Sequence, residues 1–330
     1  MPAAAESAED KAKTAAAERE AKPRVVWLGS YNWQDPRPGF GGFSGLEIED
    51  GGLTGYALSD RGYVIALSIT RNAGGLITGV SGGPSIPLRT STGEIVENGN
   101  ADSEGLRRLP DGRLCASFEN NARISCHGDL AGPAELLPRH PDFAALPHNS
   151  SLESLAVDSE GRLYTIPELP DAEGQFRIYR YDPASSALPA ATSSAQSSPA
   201  QTSPVETSRA ETGGWEQPFS YPASDGFLAT DADFGPDGRL YVLERKLGLT
   251  SGFLSRVRVF TLTDQTLSEE DIVVEPVFLR HGNLEGLSVW RDQNGDIRLT
   301  LIADNAQMQV FRNEITEYRL TKLAREVSPG

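Results

Sequence analysis

Carboxylates recur in register along this chain. Glu47, Glu104, Glu153 and Glu285 each lead a short apolar-patterned run, and Asp231 leads a further run one residue displaced. A second set, Asp60, Glu119, Glu168, Glu244 and Asp304, ends the strand-like run that follows each. Arg61 and Arg245 directly follow two of these acids, and Asn120 and Asn305 follow two others. Acids gathered in one place repel, which raises some pKa values or demands cations. Hard oxygen ligands in numbers suit Ca²⁺, or Mg²⁺ with retained waters. An arginine beside them can hold a phosphate or carboxylate through two parallel bonds. The chemistry is that of an anion bridged by a divalent cation, calcium before magnesium. The competing reading is that acids at strand ends cap turns or pair with neighbouring units. Recurrence in five units favours the common site.

The elements that must position these acids are visible as an internal repeat. Residues 104–119 (EGLRRLPDGRLCASFE), 153–168 (ESLAVDSEGRLYTIPE), 230–244 (TDADFGPDGRLYVLE) and 285–304 (EGLSVWRDQNGDIRLTLIAD) are copies of one unit, with a looser copy at 47–60 (EIEDGGLTGYALSD). Each is a short strand, an Asp-Gly type turn and an alternating strand, which is a hairpin pattern. The leads are 57, 49, 77 and 55 residues apart, and removing a polar insert of about 30 residues from the third interval leaves a period near 50. That period suits four-stranded propeller blades. Further strands read as ARISCH and AELLPR, FRIYRYD and EQPFSYP, and RVRVFTL and DIVVEPVFL. The last unit offers QVFRNEITEYRL and lacks an outer strand, which RVVWLGSY at 24–31 supplies to close the ring. The expectation is an all-β propeller of five blades, or six if an irregular blade hides in 23–43 or 71–100. Equivalent positions of successive blades lie on a ring, so the repeated acids converge on one mouth.

Composition bounds the partners. The 330 residues carry 30 Lys+Arg against 46 Asp+Glu, a net charge of −16. Phosphate backbones and anionic lipid surfaces repel such a surface, which argues against nucleic acid and membrane partners. No apolar run approaches the ~18 residues of a membrane span. The expected partner is a small anionic ester, met by a monomer. Residues 1–22 are Ala/Glu/Lys-rich and read as a polar tail, disordered or frayed helix. Residues 184–214, built from Ala, Ser, Thr, Pro and Gln, read as a disordered insert within a single domain at 23–320, and 321–330 as a second tail. No signal-type apolar stretch follows Met1, so the reading is cytoplasmic, or a chain whose start lies after an export signal.

Cys115 and Cys126 flank LCASFENNARISC, whose midpoint is Asn120-Asn121. A hairpin turning there sets the two cysteines opposite one another, within disulfide reach. A bridge would favour an oxidising compartment; two small buried thiols are the alternative. Nucleophile signals are poor. Gly79-Val80-Ser81-Gly82-Gly83 fits G-x-S-x-G but sits in a Gly-rich turn rather than between strand and helix. DQNGD at 292–296 lacks the later Glu of a calcium loop. His281, just ahead of Glu285, is placed to serve as an acid or base, or as an ordinary surface histidine.

FGGFSGLEI with ALSDRG, ADSEGLRRLPDGRLCASFE, TDADFGPDGRLYVLERK, and NLEGLSVW with ADN occur here in an order that resembles the phytase-like family, the esterase-like activity of phytase domain. The resemblance covers about residues 38–320. It implies an exported bacterial propeller in which repeated acids form the ester-cleaving site. Carried onto this chain, that site comprises Glu47, Asp60, Arg61, Asp102, Glu104, Glu119, Glu153, Asp231, Glu244, Arg245, Glu285, Asp304 and Asn305. One acid of the family pattern is missing, because Gly282-Asn283-Leu284 stands before the last Glu-Gly-Leu. The expected function is metal-assisted hydrolysis of a phosphoester, of the phosphodiesterase or phytase-like esterase kind. Glu104 or Glu285 is the base, and Arg61 and Arg245 neutralise developing charge. The cation ligands are expected among Glu47, Asp60, Asp102, Glu119, Glu153, Glu168, Asp231, Glu244, Asp304 and Asn305. A lactonase-type propeller and a non-catalytic ligand-binding propeller are the alternatives.

Overall fold

A computed structural model describes residues 24–183, 214–248, 252–264, 266–305 and 312–321. The tail at 1–22, the insert at 184–214 apart from Gly214, and the tail at 321–330 apart from Thr321 lie outside the described residues. The described chain is five four-stranded antiparallel sheets. Strand β1 (Arg24–Asn32) opens the chain. Blade 1 is β2 (Phe43–Glu49), β3 (Thr54–Ser59), β4 (Tyr63–Arg71) and β5 (Ile77–Pro87). Blade 2 is β6 (Ser103–Arg108), β7 (Leu114–Phe118), β8 (Arg123–His127) and β9 (Glu135–Leu136). Blade 3 is β10 (Ala156–Val157), β11 (Leu163–Thr165), β12 (Gln175–Tyr181) and β13 (Trp215–Pro222). Blade 4 is β14 (Leu228–Phe234), β15 (Leu240–Gly248), β16 (Gly252–Leu262) and β17 (Leu267–Val274). Blade 5 is β18 (Asn283–Arg291), β19 (Ile297–Asp304) and β20 (Glu314–Thr321), completed on its outer edge by β1.

The ring therefore has five blades. The stretch that left room for a sixth supplies β5, the outer strand of blade 1, and β1 pairs with β20 from Arg24↔Thr321 to Asn32↔Glu314. The Asp-Gly type turns behave as their composition requires, with Gly112, Gly161, Gly238 and Gly295 all at positive φ. Blade 3 holds the insert between β12 and β13, which pair with each other up to Tyr181↔Trp215.

The core is divided in the same way as the ring. Five apolar clusters each join one blade to the next. Phe43 and Leu46 of blade 1 meet Ile302 and Ile315 of blade 5, and Leu58 and Val64 meet Leu106 and Phe118 of blade 2. Cys115 and Cys126 form a disulfide, with Cα atoms 4.0 Å apart, across a four-residue turn from Phe118 to Arg123. The bridge packs into the cluster shared with blade 3. Inner strands approach so closely that Gly105 faces the backbone of Leu155, and Gly286 that of Gly45. At the axis, the buried Arg107 of blade 2 donates to the carbonyls of Leu46, Ala232 and Leu287 at 3.1, 2.5 and 2.6 Å. One side chain thus ties four blades together below the mouth.

Candidate functional site

One irregularity, repeated five times, builds the mouth. Between the innermost strand and the next, the ladder slips by one residue at the same place in every blade. The slip falls between Phe43 and Gly45, Ser103 and Leu106, Ala229 and Asp231, and Leu284 and Gly286. In blade 3 it falls between the Leu152–Pro167 bridge and the Ala156–Tyr164 pair. A bulge re-aims a side chain out of the strand's alternation. The residues at these bulges are Ser44, Glu104, Glu153, Thr230 and Glu285. Three are carboxylates. The other two spend their hydroxyls on backbone, Ser44 on the Ser103 carbonyl at 2.6 Å and Thr230 on that of Leu243 at 3.3 Å.

A second ring sits where each second strand ends. Asp60, Glu119 and Glu168 each donate a backbone N–H to the start of their innermost strand, at Gly42, Asp102 and Ser151. In blade 5 the same position is Asp304, opposite Asn283, and in blade 4 it is Arg245, opposite Leu228. Four blades thus present an acid and the fifth an arginine. Arg245 donates to Asn283 at 2.8 Å, to Glu168 at 3.2 Å and to Glu285, so it spans blades 3 to 5. Asn283 also donates to Glu285 at 2.5 Å. Asn120 donates to Asp102 at 2.8 Å.

The acids are close enough to perturb one another. Burial first, then Glu153, Glu285, Asp102 and Glu119, hold the Glu104 carboxyl well above the usual range. Glu153 is raised in the same way by burial and Glu168, against the pull of Arg245. Glu119 is pushed up to about 8 by burial and Asp102. Glu285 is pushed up to about 7 by burial and Asp304, with Arg245 opposing. Asp60 is pushed up to about 6 by burial and Asp304. Two triads, Asp102/Glu104/Glu119 and Glu119/Glu153/Glu168, each bring one oxygen per residue within 4.8 Å of the others. Buried oxygens so spaced can hold a metal ion, and an all-oxygen donor set fits a hard divalent cation. A cavity of about 560 Å³ opens beside Asp60, Arg61 and Asp102. Arg61 donates to the Gly39 carbonyl at 2.9 Å and is about a third exposed.

Three expected ligands lie elsewhere. Glu47 sits deeper on β2, at the position Arg107 occupies on β6, and faces that arginine at 3.9 Å. Asp231 pairs with Arg107 at 3.1 Å and accepts the Leu287 N–H at 2.8 Å, so it belongs to the axial tie. Glu244 points away from the mouth because its neighbour Arg245 points into it, as alternation demands. It is fully buried between Arg256 at 2.6 Å and Arg258 at 3.3 Å. His281 does not join the acids; it bridges Glu314 at 2.8 Å and the Tyr318 hydroxyl at 2.6 Å. Asn305 accepts the Gly42 N–H at 3.3 Å, beside Asp304 at the end of its strand. The sequence reading did not select Asn283, Arg107 or the Gly41-Gly42 pair. The glycines were legible as FGGF: both have positive φ, and a Cβ on Gly41 would collide with Asn305, one on Gly42 with Asp60.

Solved structures share the fold at low identity. The catalytic domain of a GH62 α-L-arabinofuranosidase from Coprinopsis cinerea is similar at a TM-score of 0.52 and 12% identity, over 91% of this chain and 98% of that one. The α-L-arabinofuranosidase PaAbf62A from Podospora anserina, solved with cellotriose, is similar at 0.50 and 11%, over 91% and 96%. A search of curated protein sequences finds no significant match. The profile of the phytase-like family, described as esterase-like activity of phytase, matches residues 38–306, from ahead of β2 to the end of β19, and this chain belongs to that family.

Proposed function

We propose that the protein is a metal-assisted hydrolase of a small anionic phosphoester. The observation that carries this is the convergence of bulge acids Glu104, Glu153 and Glu285 with strand-end acids Asp60, Glu119, Glu168 and Asp304 on one mouth. Asp102, Glu104, Glu119, Glu153 and Glu168 would hold the cation, calcium in our reading. The chemistry such an ion supplies is Lewis acidity toward an ester oxygen. The chain's own residues do the rest. Glu285 lies outside both triads and between Arg245 and Asn283, which suits a base with a fixed orientation. Arg61, at the open cavity, has donors to spare for a phosphoryl oxygen. The Arg107 tie holds blades 1, 2, 4 and 5 in place beneath the acids. The Cys115–Cys126 bridge supports an exported, oxidising location.

A second reading, a ligand-binding propeller without turnover, is favoured by one feature: Arg245 already neutralises Glu168 and Glu285. The test is hydrolysis of bis(p-nitrophenyl) phosphate, p-nitrophenyl phosphate and a simple lactone, with calcium or with chelator. We expect phosphoester turnover that needs the cation, is lost in Glu104→Gln and Glu285→Gln, and survives in the exposed control Glu173→Gln. Turnover of the lactone alone would instead assign a lactonase. No turnover, with calcium still bound, would assign the binding propeller.

A further inference from the structure

Most arginines of this acidic chain face a carboxylate. Arg89, Arg123 and Arg139 do not: among the described residues no acid oxygen lies within 4.0 Å of any of them. All three line one cavity of about 450 Å³ between blades 1 and 2. Arg123 lies with its guanidinium 3.8 Å over the Phe118 ring and donates to the carbonyls of Asn120 at 2.9 Å and Asn100 at 2.5 Å. Those bonds fix its plane and leave other donors of the fork unused. Burial and the like charge of Arg139 depress its pKa to about 10. Arg139 is held by the Asn121 side chain at 2.8 Å, and Arg89 by the Gly93 carbonyl at 2.8 Å, while the buried Nε of Arg89 has no partner. Thr90, Ser91 and Ser125 add hydroxyls to the lining. Glu94 and Glu97 also border it, both exposed and neither paired with an arginine.

Guanidinium groups gathered without a counter-ion repel each other, and a bound oxyanion removes that cost. We propose that this cavity is a binding site for a phosphoryl group, separate from the carboxylate mouth. Three pre-set guanidinium forks and neighbouring hydroxyls match a tetrahedral dianion better than a planar monoanionic carboxylate. The site shares the wall Val96–Asn98 with the cavity beside Asp60 and Asp102, so its ligand sits next to the mouth without touching the acids. The proposal does not depend on hydrolysis occurring there.

The probe is inorganic phosphate, titrated calorimetrically into the full chain at low salt with chelator present, so that no cation can recruit it to the mouth. We expect one site with millimolar or tighter affinity. Acetate should bind at least about tenfold more weakly. Arg139→Gln, at an exposed position, and Arg89→Gln should each weaken phosphate at least about tenfold. Arg177→Gln, on blade 3 and already paired with Asp171, should leave it unchanged. Soaking with tungstate should place the heavy anion among the three arginines. The proposal is overturned if phosphate does not bind, if acetate binds equally well, or if Arg177→Gln abolishes binding while Arg139→Gln does not. Circular dichroism on each variant separates loss of binding from loss of fold.

Discussion

At the scale of single residues, the mouth holds its acids against their preference. Glu119 at about 8 and Glu285 at about 7 stay protonated in the native protein at pH values where the unfolded chain has released the proton. The native state then binds more protons, so stability falls as pH rises through that window. Buried His127 and His140, with lowered pKa values, act in the opposite sense only below their ordinary value of 6.5. In chelator, the melting temperature should therefore drop between about pH 6.5 and pH 8.5. Saturating calcium should remove most of the drop, because a bound cation replaces the protons. A melting temperature that is flat or rising in chelator over this range would exclude the arrangement. Gly42 is the second residue-scale test. Gly42→Ala combines a positive φ with a collision against Asp60, and should cost about 1–3 kcal/mol in denaturant titration while weakening the calcium response. Gly51→Ala, with positive φ and open space around it, should cost less and leave that response intact. The acids were readable from the sequence as a set, but their register was not. Glu244 and Arg245 are adjacent, and only the ladder shows which of them faces the mouth. Glu47 stood out as an acid, while the true equivalent of Glu104 in blade 1 is Ser44, which carries no charge to notice.

At the scale of elements, the hairpins were legible because Asp-Gly turns and alternating strands are local signals. The bulges were not, since a one-residue slip leaves no mark in composition. The shortest strands were legible as positions, β9 within AELLPR and β10 within ESLAV, but not as lengths, since only two residues of each join the ladder of their own blade. The closing strand was readable from an incomplete last unit, and it yields a prediction. Deleting residues 1–31 removes β1 almost entirely and exposes the β20 edge along its length. That protein should melt several degrees lower and aggregate on heating, whereas deleting residues 1–20 leaves β1 whole and should not change the melting temperature. Equal melting of the two, by calorimetry, would show that β1 adds nothing to closure.

At the scale of the whole molecule, the charge of −16 is not spread as the mouth alone would suggest. Acids gather at one mouth and unpaired arginines gather beside it between blades 1 and 2, so an anion meets both a field that repels it and a pocket that holds it. The fold class followed from the repeat period, because each blade is one copy of a local pattern. The site followed less fully, because it depends on which way each strand end turns.

The pairing of β1 with β20 also frees the order of the chain. Arg24 and Thr321 are direct partners across the ladder, so the two ends of the described ring lie side by side. A short Gly/Ser linker between them, with new termini cut into the exposed 3-10 turn Asn98–Asn100 between blades 1 and 2, would make a circular permutant in which every blade is built from one unbroken stretch of chain. Such a permutant no longer needs its first strand to find its last. It should keep the calcium-dependent melting of the parent and refold at least as fast.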